Sequence, residues 1–185
     1  MGLGGVEHLE PGLALPSVTL IATDRTSFCA AERTGRSVIA VYPWTGRPGL
    51  PNPPGWDDIP GAHGSTPELE GFRDLFQSFK GHGTRVFGLS GQGTDYQREA
   101  VERLRLPFAL LSDADGAFAA ALQLPSFATG GHTYLTRLTL VVENGDIEQV
   151  FYPVLDPHSH ASEVLRWLQK TAHSPIASSS ASSTE

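Results

Sequence analysis

Apolar residues along the chain follow two patterns, and each pattern predicts a different kind of element. Short runs rich in valine, isoleucine and leucine predict β-strands. The run at residues 37–42 (SVIAVY) is so continuously apolar that it predicts a strand buried on both faces. The predicted strands cover residues 17–22, 27–31, 37–42, 85–89, 108–111, 134–143 and 146–154. Asn144-Gly145, between the last two strands, is typical of a tight hairpin turn.

Apolar residues spaced three or four positions apart predict helices between these strands. The segment after residue 64 has such a face, made of Leu69, Phe72, Phe76 and Phe79. We expect one helix here, beginning at Ser65 or Thr66 as N-cap and ending at residues 81–83, with Ser65-x-x-Glu68 spaced as a capping box. Further helices are predicted at residues 95–106, 115–122 and 159–171.

The order of these elements predicts an α/β fold. A strand, a loop, a helix and a second strand form a parallel pair with a right-handed crossover. The later antiparallel hairpin and closing helix then give a mixed central sheet flanked by helices, which is a thioredoxin-like arrangement. We expect an irregular lead-in at residues 1–16, one thioredoxin-like domain at 17–172, and a disordered serine-rich tail at 173–185.

Composition and charge exclude several classes of function. The 185 residues carry a net charge of -7 and no basic stripe, which argues against nucleic-acid binding. No apolar stretch is long enough to cross a membrane, and the first ten residues lack the features of a secretory signal. Cys29 is the single cysteine, so no intrachain disulfide can form, and a reducing, cytoplasmic location is favoured. His158 and His160 lack further ligands, and we expect neither a metal nor a cofactor.

The expected site lies where the strand at 37–42 ends and the helix at residue 65 begins. A long loop rich in proline and glycine, residues 46–64, separates the two, and loops of this length are usually functional or disordered. A helix start can stabilise a thiolate or a developing anion. Ser65 itself is better explained as a cap than as a catalytic serine, because no Gly-x-Ser-x-Gly motif or paired base accompanies it.

Three motifs here resemble a known family. They are Val41-Tyr42-Pro43, then Gly64-Ser65-Thr66-Pro67-Glu68, then Gly71-Phe72-Arg73-Asp74. Downstream, residues 137–147 and 150–153 are similar to the same family's arginine-bearing hairpin, and Gly88-Leu89-Ser90 to one of its strand ends. Over about residues 10–170 the chain resembles the Q-type peroxiredoxins, or bacterioferritin-comigratory proteins, of the alkyl hydroperoxide reductase/thiol-specific antioxidant superfamily.

The resemblance implies a role for five residues of this chain. Ser65 occupies the position of the peroxidatic cysteine, and Arg137 that of the cation that activates it and holds peroxide. Pro43 would shield the pocket. Thr45 would supply a hydroxyl to the nucleophile position, because the family's threonine falls on Ala62. Glu68 would orient Arg137.

Both cysteines that the family uses are missing from their positions. Serine stands at 65, and Glu70 stands at the position of the resolving cysteine, which leaves Cys29 as a buried packing residue or a distant resolving candidate. Ser65 is either an introduced replacement or a natural loss. A hydroxyl there stays protonated and has no redox step comparable to the oxidation of a thiolate.

The implied activity is thiol-dependent reduction of hydrogen peroxide or organic hydroperoxides. The implied partners are a peroxide and a thioredoxin or small-thiol reductant, with the protein a monomer or homodimer. With Ser65 in place, we expect no peroxidase activity. The alternative is a catalytically silent or repurposed redoxin-like domain that binds a small molecule or a protein in the same pocket.

Overall fold

The computed structural model describes residues 5–172, and a seven-stranded mixed sheet runs through the middle of this region. The strands of the described residues are β1 (Thr19–Ala22), β2 (Ser27–Cys29), β3 (Arg36–Val41), β4 (Thr84–Ser90), β5 (Leu110–Ser112), β6 (Ser126–Thr129), β7 (His132–Leu135), β8 (Leu138–Glu143) and β9 (Asp146–Phe151). The main sheet has the order β2-β1-β5-β4-β3-β8-β9, and β6 and β7 form a separate hairpin. β3, β4 and β5 are mutually parallel, whereas β1, β8 and β9 pair in the antiparallel sense.

Helices cover both faces of the sheet. They are α1 (Ser65–Asp74), α2 (Phe76–Gly81), α3 (Thr94–Leu104), α4 (Ala117–Leu122) and α5 (His160–Thr171). One apolar core lies between the sheet and α1, α2, α3 and α5; the other includes α4 and the lead-in residues Leu9 and Leu15. The thioredoxin-like α/β fold predicted from the sequence is therefore confirmed. None of the helices within residues 5–172 is long and apolar enough to cross a bilayer.

β3 is the central element for the site. Val38 and Ala40 enter one core while Ile39 and Val41 enter the other, as predicted for a strand that is buried on both faces. Val41, its last residue, pairs with Leu138, the first residue of β8. The end of β3 and the residue that precedes β8 therefore lie side by side.

Two predicted elements are divided in the structure. The single helix expected from residue 65 to 81 breaks at Leu75, whose backbone (φ -98°, ψ 7°) leaves the α-helical range. The two helices still bury one apolar face, since Phe72 and Phe79 both lie in the core with ring centres 5.5 Å apart. The strand expected at 134–143 is also two strands, because the chain leaves the β6–β7 hairpin and joins the main sheet after Thr136.

The N-terminal lead-in packs against the main sheet. Residues 5–16 contain no regular strand and follow the β8–β9 turn, with the Leu15 amide donating to the Gly145 carbonyl over 2.9 Å. This lead-in is therefore part of the folded body. The serine-rich tail predicted at 173–185 lies outside the described residues.

Candidate active site

Ser65 is the first residue of α1 and is buried, with 3% of its surface exposed. The turn before it needs a left-handed residue, and Gly64 supplies it at φ 108°. The expected capping box is wrong: Gly64 occupies the N-cap position, and no side chain caps the helix. The Ser65 Oγ instead accepts a hydrogen bond of 3.2 Å from Arg137 Nη2.

Arg137 lies directly before β8, so the pairing of β8 with β3 places its guanidinium beside the start of α1. Nη1 donates to Glu68 Oε2 and forms an ion pair with it, with 3% and 0% of the two side chains exposed. Nη2 also faces backbone carbonyls, of which His63 O is nearest at 3.0 Å. The structure thus brings together Ser65, Glu68 and Arg137, three of the five residues that the sequence singled out.

Glu68 has a perturbed acidity. Burial raises its pKa from 4.5 to about 7, although the nearby Arg137 acts in the opposite direction. Its second oxygen, Oε1, has no hydrogen-bond partner among the described residues. Glu68 can therefore change its protonation state near neutral pH, and it is an ion-pair partner of Arg137 only in its charged form.

Thr45 does not have the partner that the sequence suggested. Its hydroxyl and its amide both donate to Gln92 Oε1, at 3.1 and 3.0 Å, and its carbonyl accepts from Gln92 Nε2 at 3.2 Å. The expectation of a hydrogen bond from Thr45 to position 65 is therefore wrong in this structure. Thr45 and Gln92 instead tie the chain that leaves β3 to the loop after β4.

A cavity of about 320 Å³ opens at the start of α1. It is bounded by the long loop, the helix start and α3, and its lining residues are Trp44, Gly46, Arg47, Pro48, Asn52, Trp56, Ala62, His63, Gly64, Ser65, Thr66, Pro67 and Arg103. Pro43 is buried in the turn after β3 and is not among these residues. Its expected role as a shield over the cavity gains no direct support.

The long loop at 46–64 is ordered because an aromatic cluster fixes it to the β6–β7 hairpin. Trp56 is buried and packs against Trp44, Phe127 and Tyr134, with ring centres 5.0 to 5.6 Å apart. The Thr129 hydroxyl also donates to the Pro54 carbonyl. Sequence reasoning missed this hairpin, although Gly130-Gly131 between the runs at 126–129 and 132–135 is a two-residue turn that indicates one.

Sequence reasoning also missed two arginines that line the cavity. Arg103 on α3 donates from Nη2 to the Gly46 carbonyl at 2.8 Å and from Nε to Glu99 at 2.6 Å. Arg47 on the loop forms an ion pair with the same Glu99 at 3.4 Å and stacks on Tyr96 with its guanidinium 3.9 Å from the ring centre. The i, i+4 spacing of Glu99 and Arg103 was visible, but it indicates only a surface pair.

The positions of Cys29 and Glu70 bear on the redox chemistry. Cys29 lies on the edge strand β2, four strands away from β3, which at roughly 4.8 Å per strand is about 19 Å. That separation is well beyond disulfide reach of residue 65, so a resolving role finds no support. Glu70 pairs with Arg73 at 3.6 Å on α1. Among the described residues, no three histidine, cysteine or acidic side chains are grouped as a metal site would require.

Comparison with known proteins gives a consistent result. Residues 10–165 match the family described as Redoxin. The chloroplastic peroxiredoxin Q of Oryza sativa subsp. japonica is 30% identical over 163 residues, which is 87% of this chain and 67% of the relative. Its counterpart in Populus jackii is also 30% identical, over 87% of this chain and 68% of the relative.

Two solved structures share the fold. Peroxidoxin BcpB from Mycobacterium tuberculosis superposes with a TM-score of 0.70 at 23% identity, covering 88% of this chain and 98% of that one. A cysteine-to-serine mutant of PrxQ from Xylella fastidiosa gives 0.73 at 21% identity, covering 90% and 99%.

Proposed function

Because this chain belongs to the redoxin family and, within it, to the Q-type peroxiredoxins, which are thiol-dependent peroxidases, we propose that its cavity is a peroxidase site that lacks only the reactive sulfur. The observation behind this proposal is the hydrogen bond from buried Arg137 to the Ser65 Oγ at the start of α1. The helix start and the guanidinium are the two groups that would lower the pKa of a thiol at this position.

A thiolate at position 65 would attack the oxygen of a peroxide that carries the hydrogen. The S–O bond forms as the O–O bond breaks, the leaving oxygen takes a proton as water or alcohol, and the sulfur becomes a sulfenic acid. Two equivalents of a thiol reductant then restore the thiol and release water and a disulfide. Ser65 in the same place supplies neither the thiolate nor the change in oxidation state, so the chain with Ser65 does not turn over.

A thioredoxin or another small thiol would be the reductant. Because Cys29 lies on β2, four strands across the sheet from β3, we expect a restored enzyme to form no internal disulfide with it. We further propose a cytoplasmic location, for which the support is the single unpaired cysteine. A monomer or a homodimer would serve this chemistry equally well.

Peroxide consumption tests the proposal. We would compare the parent chain, Ser65→Cys and Ser65→Ala, with dithiothreitol as reductant and hydrogen peroxide or cumene hydroperoxide as substrate. We expect turnover only with Ser65→Cys. Adding Arg137→Met to Ser65→Cys should lower kcat/KM by at least about a hundredfold, since it removes the charge that stabilises the thiolate and the leaving oxygen. An inactive but folded Ser65→Cys protein would refute the proposal.

The second candidate is a binding domain without peroxidase chemistry. The observation that favours it is the loss of both family cysteines, with Ser65 and Glu70 in their places. If neither the parent nor Ser65→Cys consumes peroxide, this candidate replaces the first.

A further inference from the structure

A buried histidine lies outside the site described above. His160 is the first residue of α5, and its side chain has no exposed surface. Its Nε2 lies 2.8 Å from the Thr139 Oγ1 on β8, and its Nδ1 lies 3.0 Å from the Glu163 Oε2 on α5. Phe72 on α1 and Phe151 on β9 meet its ring in T-shaped contacts, with ring centres 6.0 and 5.7 Å away. His160 therefore joins four elements at a point closed to solvent.

The hydrogen bonds of His160 suit a neutral imidazole ring. A carboxylate only accepts, so the Nδ1 carries the hydrogen and donates it to Glu163. The Nε2 of a neutral ring is then an acceptor, and the Thr139 hydroxyl donates to it. A second proton would turn Nε2 into a donor, so the Thr139 hydroxyl would have to find another acceptor inside the core. A charged ring therefore breaks the bond between α5 and the sheet in its present form.

Most of the charges around His160 also oppose a positive ring. Arg137, just before β8, is close enough for its positive charge to act on the ring, and the Glu68 carboxylate on α1 is already paired with Arg137. The start of a twelve-residue helix disfavours a cation, and β9 faces the ring with an uncharged residue. Glu163 favours the cation, but its side chain is 56% exposed and solvent weakens its attraction. Burial is the largest effect, and it lowers the pKa of His160 below its ordinary value of 6.5.

The start of α5 also supports the turn that precedes α1. Pro157, three residues before His160, lies so close to Gly64 that a Cβ there would be 2.6 Å from the proline ring. One face of α1 meets α5 in the same way, because a Cβ at Gly71 would be 3.4 Å from the Ala161 Cβ. A shift of the α5 start would therefore remove the support behind the turn at Gly64.

We propose that His160, Thr139 and Glu163 form an acid-sensitive latch, the α5 latch, which holds the start of α5 on the sheet and thereby the turn at Gly64 in place. When His160 gains a proton, the start of α5 loosens and Pro157 moves away from Gly64. The closed latch binds this proton more weakly than the open one does, so the latch holds fully above about pH 6.5 and loosens as the pH falls below that value. Acid thus alters the shape of the site from behind, without titrating a group inside the cavity.

Hydrogen–deuterium exchange of the parent chain at about pH 5 and about pH 7.5 tests the latch. Protection factors, which remove the intrinsic effect of pH on exchange, should fall about tenfold at the lower pH in peptides covering residues 156–165 and 64–68. The central strand at residues 36–41 should change less. His160→Gln keeps a hydrogen-bonding group near Nε2 and cannot titrate, so it should abolish the pH dependence. Unchanged protection in the parent, an equal fall in the central strand, or the same fall in His160→Gln would overturn the proposal.

Two further variants separate the latch from a general effect of acid. His158→Gln is the matched control, since His158 is exposed and two residues away, and its exchange should follow that of the parent at both pH values. Glu163→Gln decides if His160→Gln does not fold. Because the Glu163 charge favours the protonated ring, its removal should move the midpoint of opening to lower pH by about half a unit. A midpoint that stays constant or moves to higher pH would contradict the latch.

The α5 latch does not rest on the proposed function. Its test uses the parent chain with Ser65 in place and no peroxide, so an inactive Ser65→Cys protein would refute the peroxidase proposal and leave the latch standing. A peroxidase-active Ser65→Cys protein whose parent shows no acid-dependent exchange at the start of α5 would refute the latch alone.

Discussion

Replacing Glu68 by glutamine should change how the stability of the protein depends on pH. Burial raises the pKa of Glu68 from 4.5 to about 7, so the folded chain holds this proton more tightly than the unfolded chain does. This tighter proton binding stabilises the folded chain fully below about pH 4.5, and the stabilisation is lost as the pH rises to about 7. Glutamine keeps the shape of the side chain and cannot titrate.

The magnitude follows from the same two values. Each pH unit between the unfolded and folded pKa corresponds to about 1.4 kcal/mol. The free energy of unfolding of the parent therefore loses roughly 3 kcal/mol of the Glu68 contribution between pH 4.5 and about 7. The side chain is fully buried, so solvent does not screen this term. Because all other groups titrate alike in both proteins, the free energy of unfolding of Glu68→Gln relative to the parent should increase by about 3 kcal/mol between pH 4.5 and 8.

Urea denaturation at several pH values, followed by circular dichroism, measures this difference directly. Glu70→Gln is the matched control, because Glu70 is two residues away on the same helix and half exposed; its curve should run parallel to that of the parent. If the free energies of unfolding of Glu68→Gln and the parent depend on pH in the same way, burial does not raise the pKa of Glu68. A relative stability that falls with pH would show that the attraction of Arg137 outweighs burial.

Three further substitutions test the structure. Gly64→Ala should lower the free energy of unfolding, measured by urea denaturation, by about 1–3 kcal/mol more than Gly61→Ala does. Both glycines have positive φ, but only at Gly64 would a Cβ meet Pro157, 2.6 Å away. Equal effects of the two substitutions would contradict this contact. Trp56→Ala should cost about 3–5 kcal/mol and make the 46–64 loop sensitive to protease, while exposed Leu50→Ala should leave it resistant; a resistant Trp56→Ala loop would refute the aromatic clamp. Thr139→Val should cost about 1–3 kcal/mol, since it removes the 2.8 Å partner of buried His160 Nε2, and an unchanged midpoint of unfolding would show that this bond adds nothing.

Much of the fold could be predicted because strong patterns agree with it. The apolar run that became β3, the Asn144-Gly145 turn and the amphipathic helices each have one clear interpretation. The divisions at Leu75 and Thr136 were not predictable, since local spacing continues across both while tertiary packing redirects the chain. The Gly130-Gly131 turn of the β6–β7 hairpin was visible in the sequence, but the packing of that hairpin on Trp56, some 70 residues earlier in the chain, was not.

The part of the site that depends on the register of the sheet could be predicted from the sequence. The part that depends on the path of the loop at residues 46–64 could not. Ser65, Glu68 and Arg137 come together because β3, α1 and β8 are fixed by the fold. Thr45 was misassigned, since nothing in the sequence shows that Gln92 takes its hydroxyl. Arg47 and Arg103 were overlooked for the same reason, as their approach to the cavity depends on the path of residues 46–64.

The site draws on distant parts of the chain, since Glu68 and Arg137 are 69 residues apart and Pro54 and Thr129 are 75 apart. An unfolded or half-folded chain therefore has no such pocket, and whatever binds there binds the native state alone. By thermodynamic linkage, a ligand at a hundredfold excess over its Kd would add about 2.7 kcal/mol to the free energy of unfolding. The melting temperature thus reports occupancy of the pocket, with no need for catalytic turnover or a label.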